Sequence, residues 1–365
     1  MAPLTSGKTL TSGKTRPIRL ADIARAAGVS HGTASNVFAR PEIVREEVRE
    51  RVKAAAAAMG YGGPDPKGRL LRAGKVNAIG VASAEPLSYF FDDPFARVMM
   101  ASISQACDAT GAGISLVSAA NKEQLAWNIQ SALVDGFIVF CVEGGSRLVE
   151  LARERKLPFV ALDDLDSDDN SVAAIGVDNV AGAGLAARHL TELGHRRFAV
   201  LALPCADSGF GPTTQAHVEK ALYSGTRDRL RGYFAELSRS GIDISRVPIY
   251  ETVNNEESVW AGLDHIFAGS EKPTAILAMS DRMALHTLDW LRRHDIAVPS
   301  DVSVVGFDGV PEGVVSKPPL TTVAQPIAEM GRRAVKAILE YDGSLSRQLL
   351  PVDLVVRASS GPSPT

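Results

Sequence analysis

The chain has 365 residues, 45% apolar and 22% charged, the balance of an ordinary globular protein, and its length suggests two or three domains. No apolar run approaches the roughly 20 residues needed to span a bilayer, and the N-terminus lacks an apolar signal core, so no membrane partner is expected and the cytoplasm is the expected compartment. The net charge of −3 hides an asymmetry, with 14 Lys and Arg against 6 Asp and Glu through Lys75 and 25 against 36 beyond it. A basic head on an acidic body predicts that the head meets a polyanion.

Residues 1–17 contain LTSGKT twice, a Thr-, Ser-, Gly- and Lys-rich repeat that reads as a flexible tail. SGKT matches the end of a phosphate-binding loop, but the required earlier glycine is replaced by Ala2 or Lys8 and no strand precedes it. The stretch LADIARAAGVSHGTASNVF then predicts a helix from Leu20 to Ala27, a turn at Gly28 and Val29, and a second helix capped by the Ser30 hydroxyl. Small residues at Ala24, Ala27 and Gly28 let two helices cross closely, while Ile23, Val29 and Val37 supply a miniature core. This is helix-turn-helix logic, in which the second helix enters a DNA major groove. VREEVRERVKAAAAAMGY predicts a third helix, and GGPDPKG ends regular structure. The head therefore spans 18–62 and a linker spans 63–75.

From residue 76 the pattern changes. Short apolar runs at 78–82, 113–117, 136–141, 159–162, 198–203, 275–278 and 302–307 alternate with amphipathic segments of helical length. Such alternation predicts an α/β body of doubly wound parallel sheets, with room for two lobes. GAGLAA at 182–187 satisfies a dinucleotide-binding fingerprint, but Asp178 and Asn179 read as the turn and cap, which puts both glycines inside a helix, where they serve close packing. His189 and His195 have no nucleophile at meaningful spacing. Cys107, Cys141 and Cys205 are too far apart for a disulfide framework or a zinc cluster and read as buried thiols. No cofactor, metal or enzymatic reaction is expected.

The head, the Pro-rich link GPDPKGRLLRAGK and the segments AIGV, VDGFIVF, GVDNVAGAGLAARHLTELGHRRFAVL, RDRLRGYFAEL, AMSDRMALHTLDWLRRHDIAVPSDVSVVGFDGV and PPLTTVAQP together resemble the lactose/galactose repressor (LacI/GalR) family of bacterial transcription regulators. The resemblance covers nearly everything after Arg16. It implies a three-helix DNA-binding head, a hinge helix at 63–75, and a two-lobed core at 76–365 like periplasmic sugar-binding proteins. The first lobe is expected at about 76–177 and 326–345, the second at about 178–325 and 346–357.

By the same resemblance, His31, Gly32 and Asn36 stand where relatives read bases, although Gly32 has no side chain to offer. Ser30, Thr33 and Ser35 read as caps and phosphate contacts. In the hinge, Leu71 takes the place of a residue that wedges into the minor groove, with Leu70 as its rival in register and Arg69 and Arg72 suited to phosphates. In the core, ligands of doubly wound sheets sit beyond the carboxyl ends of strands, which singles out Asp163 after FVAL and Asp308 after VVGF. Arg229 matches the family's effector-binding arginine and suits a hydroxyl-rich or carboxylate ligand. Phe90, Phe91 and Asp93 could form an aromatic wall and a polar end, or belong to core and loop. Glu257 replaces an aromatic ring common in relatives, and Ser280 replaces an asparagine of some sugar-responsive members.

The expected function is thus a repressor-type regulator that binds double-stranded operator DNA as a homodimer and responds to a small molecule, a sugar or related metabolite. A dimer is expected because no leucine heptad tail follows Arg357. The alternatives are a sugar-binding protein or sugar-metabolising enzyme with an unrelated basic head, and a DNA binder without an effector.

Overall fold

Helix formation in the head follows from its caps. In the computed structural model, which describes residues 18–63, 75–121, 123–140, 147–162, 173–206, 209–344 and 346–364, one compact unit ends at Val76 and a second begins at Asn77. Helix α1 (Leu20–Ala26) starts where the Asp22 carboxylate accepts the Arg19 backbone N–H at 3.0 Å. Gly28 makes the turn at φ 63°, a left-handed conformation natural only to glycine. Helix α2 (His31–Ala39) is capped by Ser30 Oγ, which accepts the Thr33 N–H at 3.1 Å. Helix α3 (Glu46–Ala58) completes the trio, and Ile23, Ala24, Ala27, Ala34, Val37, Val52 and Ala56 form the core between them. Phe38 and Tyr61 close one end edge to face, 5.8 Å apart. With Leu20 included, half of this core is alanine, because bulkier side chains would hold the helices apart.

The second unit holds two sheets. The first joins β1 (Ala78–Ser83), β2 (Gly113–Ser118), β3 (Gly136–Phe140), β4 (Phe159–Leu162), β5 (Ala173–Val177) and β12 (Arg347–Leu350), all parallel, in the order β12-β5-β4-β3-β1-β2. The second joins β6 (Phe198–Ala202), β7 (Gly211–Thr213), β8 (Ile249–Glu251), β9 (Ala275–Ala278), β10 (Ser303–Asp308), β11 (Thr321–Ala324) and β13 (Asp353–Val355), in the order β13-β11-β10-β9-β6-β8-β7. Only the two edge strands β7 and β13 run antiparallel. Every residue of β3, β4, β5, β6 and β9 is buried, as parallel strands covered by helices on both faces require.

Around the first sheet lie α4 (Tyr89–Asp92), α5 (Pro94–Thr110), α6 (Leu125–Ser131) and α7 (Arg147–Glu154). Around the second lie α8 (Asn179–Glu192), α9 (Gln215–Val218), α10 (Ser224–Arg239), α11 (Glu256–Phe267), α12 (Asp281–Arg293) and α13 (Glu312–Val315). Helix α14 (Ile327–Leu339) returns to pack on α5. The chain therefore passes between lobes three times, after β5, β11 and β12.

Two lobe boundaries differ from expectation. The first lobe's return was expected to end at 345, but β12 pairs with β5 from Arg347↔Ala174 to Leu350↔Val177, so it runs through Leu350. The second lobe was expected to end at 357, yet Ser359 Oγ donates to the Val304 carbonyl at 2.6 Å and the Ser363 N–H to the Leu193 carbonyl at 2.9 Å. These short polar segments carry no periodicity; they are fixed by partners far away in sequence.

GAGLAA packs as expected. Asp178 caps α8 by accepting the Ala181 N–H at 2.8 Å, and a Cβ on Gly182 would come within 2.9 Å of Val352. The tail, the hinge residues 64–74, Cys141 and Asp163 lie outside the described residues; so do the expected roles of Arg69, Leu70, Leu71 and Arg72.

Candidate functional site

Helix α2 has two faces set by its 100° step per residue. Ala34 and Val37 point into the head's core, while His31 and Gly32 are exposed and Thr33, Ser35 and Asn36 are half-buried. His31, Gly32, Ser35 and Asn36 thereby share the outer face. The Ser30 and Thr33 hydroxyls lie 2.9 Å apart at the helix N-terminus, where unpaired N–H groups favour an anion. Residues 18–63 themselves hold only 7 basic against 5 acidic residues, so most of the head's positive excess lies in its flanks.

In the core, polar groups gather after the carboxyl ends of strands. Asp308 ends β10, Ser280 and Asp281 follow β9, Asn254 follows β8, Gln325 follows β11, Asn179 follows β5, and Asp93 lies between α4 and α5 in the connection that leaves β1. Arg229, on α10, is buried. Its Nε donates to Asn179 Oδ1 at 2.9 Å, a terminal N–H donates to the Met279 carbonyl, and its guanidinium lies 3.8 Å from Asp308 and 3.9 Å from the centre of the Phe307 ring.

Burial pushes the Asp308 carboxyl well above the usual carboxylate range, while the Arg229 charge pulls it back. Asp281 is also raised by burial, against hydrogen bonds from the Thr322 hydroxyl and the Val310 and Gly309 N–H groups. Asp308 holds φ at 130°, a conformation non-glycine residues rarely adopt, so the backbone is strained at this point. Gln325 Nε2 donates to Asp308 Oδ1 at 2.8 Å, and the buried Gln325 Oε1 has no hydrogen-bond partner among the described residues.

A second constellation spans the lobes. Asp93 caps α5 through Oδ1, which accepts the Ala96 N–H at 3.0 Å. Its Oδ2 accepts from Asn254 Nδ2 at 3.2 Å and lies 3.5 Å from the Arg282 guanidinium, both from the second lobe. Asn254 in turn accepts the Ser280 hydroxyl at 2.7 Å, and Ser280 caps α12 by accepting the Met283 N–H at 3.1 Å. Arg97 and Glu312 form a further ion pair between the lobes.

The structure thus gathers Asp93, Arg229, Ser280 and Asp308 at strand ends. It does not bring Phe90, Phe91 or Glu257 to them. Phe90 is 1% exposed and packs against Phe140 at 5.5 Å in the first lobe's core, which leaves it no surface for a ligand. Phe91 is 63% exposed, and Glu257 is exposed in the first turn of α11. Asn179, Asn254, Asp281, Arg282 and Gln325 were missed. Their common signal, a polar residue within a few positions of a strand end, was visible only where the strand itself was recognised. A separate cavity of about 570 Å³ opens at the starts of β4 and β5, the opposite ends of the strands from Asp93, and Glu329 and Arg333 on its wall pair with each other.

Residues 19–63 match the bacterial regulatory proteins of the lacI family, and residues 187–360 match the periplasmic binding protein-like domain. An HTH-type transcriptional regulator of Mycobacterium tuberculosis is 34% identical over 354 residues, covering 95% of this chain and 98% of that protein. The crystal structure of the Lac repressor dimer bound to operator and the anti-inducer ONPF superimposes with a TM-score of 0.74 at 28% identity, covering 95% of this chain and all of that one. The complex of the transcriptional regulator CelR with cellobiose superimposes with a TM-score of 0.67 at 26% identity, over 94% of this chain and all of that one. Among the described residues no helix is long and apolar enough to cross a membrane. A helix-turn-helix head and a two-lobed parallel-sheet core on one chain, with a relative alike over its whole length, establish this protein as a LacI-family DNA-binding transcriptional regulator.

Proposed function

We propose that this regulator is a cytoplasmic repressor that binds an inverted-repeat operator as a homodimer and is switched by a small polyhydroxylated effector, a sugar or related metabolite, held between the lobes. On the head, His31 and Asn36 would read base edges, Gly32 would let the helix approach closely, and Ser30, Thr33 and Ser35 would contact phosphate. The hinge would contribute Leu71 or Leu70 to the minor groove and Arg69 and Arg72 to phosphates. In the core, Arg229, Asp308, Ser280 and Asp93, joined by Asn254, Arg282 and Gln325, would hold the effector, with Asp163 as a further candidate.

The observation that carries the effector reading is the buried Gln325 Oε1 beside the Arg229–Asp308 pair. An unpaired buried acceptor is costly, by about 1–3 kcal/mol, and a ligand hydroxyl would satisfy it. Two structural relatives are bound to small molecules, one to ONPF and one to cellobiose. A ligand seated between lobes shifts their angle only by binding one arrangement better, a coupling typically worth about 1–3 kcal/mol. Such an effector would compete for the donors that now bridge Asn254 and Arg282 to Asp93. Thermal stabilisation of the full chain by a metabolite library, followed by operator titration with each hit, tests the reading. Hits that stabilise the chain without moving operator affinity would reduce it to a binding protein.

A further inference from the structure

Cys205, His217 and Glu251 converge at one edge of the second lobe, although 12 and 34 positions separate them in sequence. The fold fixes each one. Glu251 ends β8, where it is paired with Ala202 of β6 on one side and Gly211 of β7 on the other. Cys205 lies just beyond β6, and its carbonyl accepts the Leu222 N–H at 2.8 Å. His217 is carried on α9, which Thr214 caps by accepting the His217 N–H at 3.3 Å.

The donor atoms suit a transition ion. One thiol sulfur, one imidazole nitrogen and one carboxylate oxygen lie within 4.8 Å of one another. These are the ligand types of zinc, and a three-ligand set leaves the fourth tetrahedral position for water. Glu251 Oε1 is oriented by the Cys205 N–H at 2.7 Å, which leaves Oε2 facing His217 Nε2 at 3.4 Å. That separation is long for a hydrogen bond. It equals the roughly 3.4 Å expected between two ligands each about 2.0–2.1 Å from one tetrahedral ion. The backbone donor on Glu251 supplies the kind of outer support that metal-binding carboxylates use.

We propose that Cys205 Sγ, His217 Nε2 and Glu251 Oε2 bind a divalent transition ion of the zinc class. On binding, the sulfur–hydrogen bond is exchanged for a sulfur–metal bond, the proton leaves to solvent, and the ion stays divalent. The bound ion ties α9 to the end of β8, three residues before Asn254, and so firms the loop that reaches across to Asp93. The competing arrangement is a metal-free cluster held by the His217–Glu251 contact alone.

The test uses the full chain, stripped with chelator and titrated with cobalt(II) alone. One cobalt per chain, with tetrahedral visible bands and a sulfur-to-cobalt charge-transfer band displaced by zinc, is the expected result. Cys205→Ser should abolish the charge-transfer band, and His217→Ala should weaken affinity about tenfold or more. The His217 side chain is 56% exposed, so its removal leaves the fold intact and carries the test should Cys205→Ser fail to fold. A folded wild-type chain with no charge-transfer band, or a His217→Ala chain that binds cobalt with unchanged affinity, overturns the proposal.

Discussion

Arg229 and Asp308 face each other at 3.8 Å with both side chains more than nine-tenths buried. Removing one partner of such a pair strands the other charge in the interior, at a cost of about 3–5 kcal/mol. Arg229→Ala should therefore lower the denaturant midpoint of the core sharply. Arg229→Ala combined with Asp308→Asn should cost less than the two single changes added together. Strict additivity in that cycle would show that the two groups do not interact.

The raised Asp308 carboxyl also sets a pH dependence. The folded core keeps a proton there to higher pH than the unfolded chain, whose aspartate titrates at about 3.9. The stability this contributes is present below the unfolded value and is lost as pH rises through the folded one. Wild type should thus gain stability relative to Asp308→Asn as pH falls from neutral toward 4. Because Arg229 opposes the shift, Arg229→Ala should move this transition to higher pH. A stability difference between wild type and Asp308→Asn that is flat across this range would place Asp308 in a solvated setting instead.

Gly232 sits where α10 packs against α8. A Cβ there would fall against the Val180 carbonyl oxygen and within 2.7 Å of the Ala183 Cβ, neither of which can swing away. Gly232→Ala should destabilise the core by about 1–3 kcal/mol, read from its unfolding midpoint, while Gly184→Ala, whose nearest neighbour would be 3.9 Å away, should be nearly silent. Equal effects would mean that the helices pack less tightly there.

Much of the fold was legible in the sequence because burial on both faces writes parallel strands as apolar runs. FVAL and AILA coincide with β4 and β9 to the residue. The edge strands β7, β12 and β13 were not legible; each is three or four residues long and half-exposed, so its hydrogen-bonding partner alone defines it. The site shows the same divide. Asp308 and Arg229 could be named from a strand end and a motif, whereas Asn254 gains its meaning only from Asp93, 161 positions away. Phe90 stayed open between two readings because an aromatic residue after a strand looks the same in sequence whether it lines a cleft or fills a core, and burial in the first lobe selects the core.

The bridge at Asp93 makes a separate prediction. Asp93→Asn keeps an oxygen for the Ala96 N–H but removes the charge that holds Arg282, so the ligand-free lobes should separate more readily. Small-angle scattering should register a larger radius of gyration than for wild type. An unchanged radius would assign lobe closure to other contacts, such as Arg97 with Glu312.

Two copies of the head should read DNA in sequence. Selection of bound duplexes from a random pool by the full chain tests it most directly. An inverted repeat should emerge, with affinity falling steeply as salt rises. His31→Ala and Asn36→Ala should each relax preference at particular positions of that repeat by about 1–3 kcal/mol. Enrichment of asymmetric sites only, or binding indifferent to salt and to both substitutions, would contradict the account.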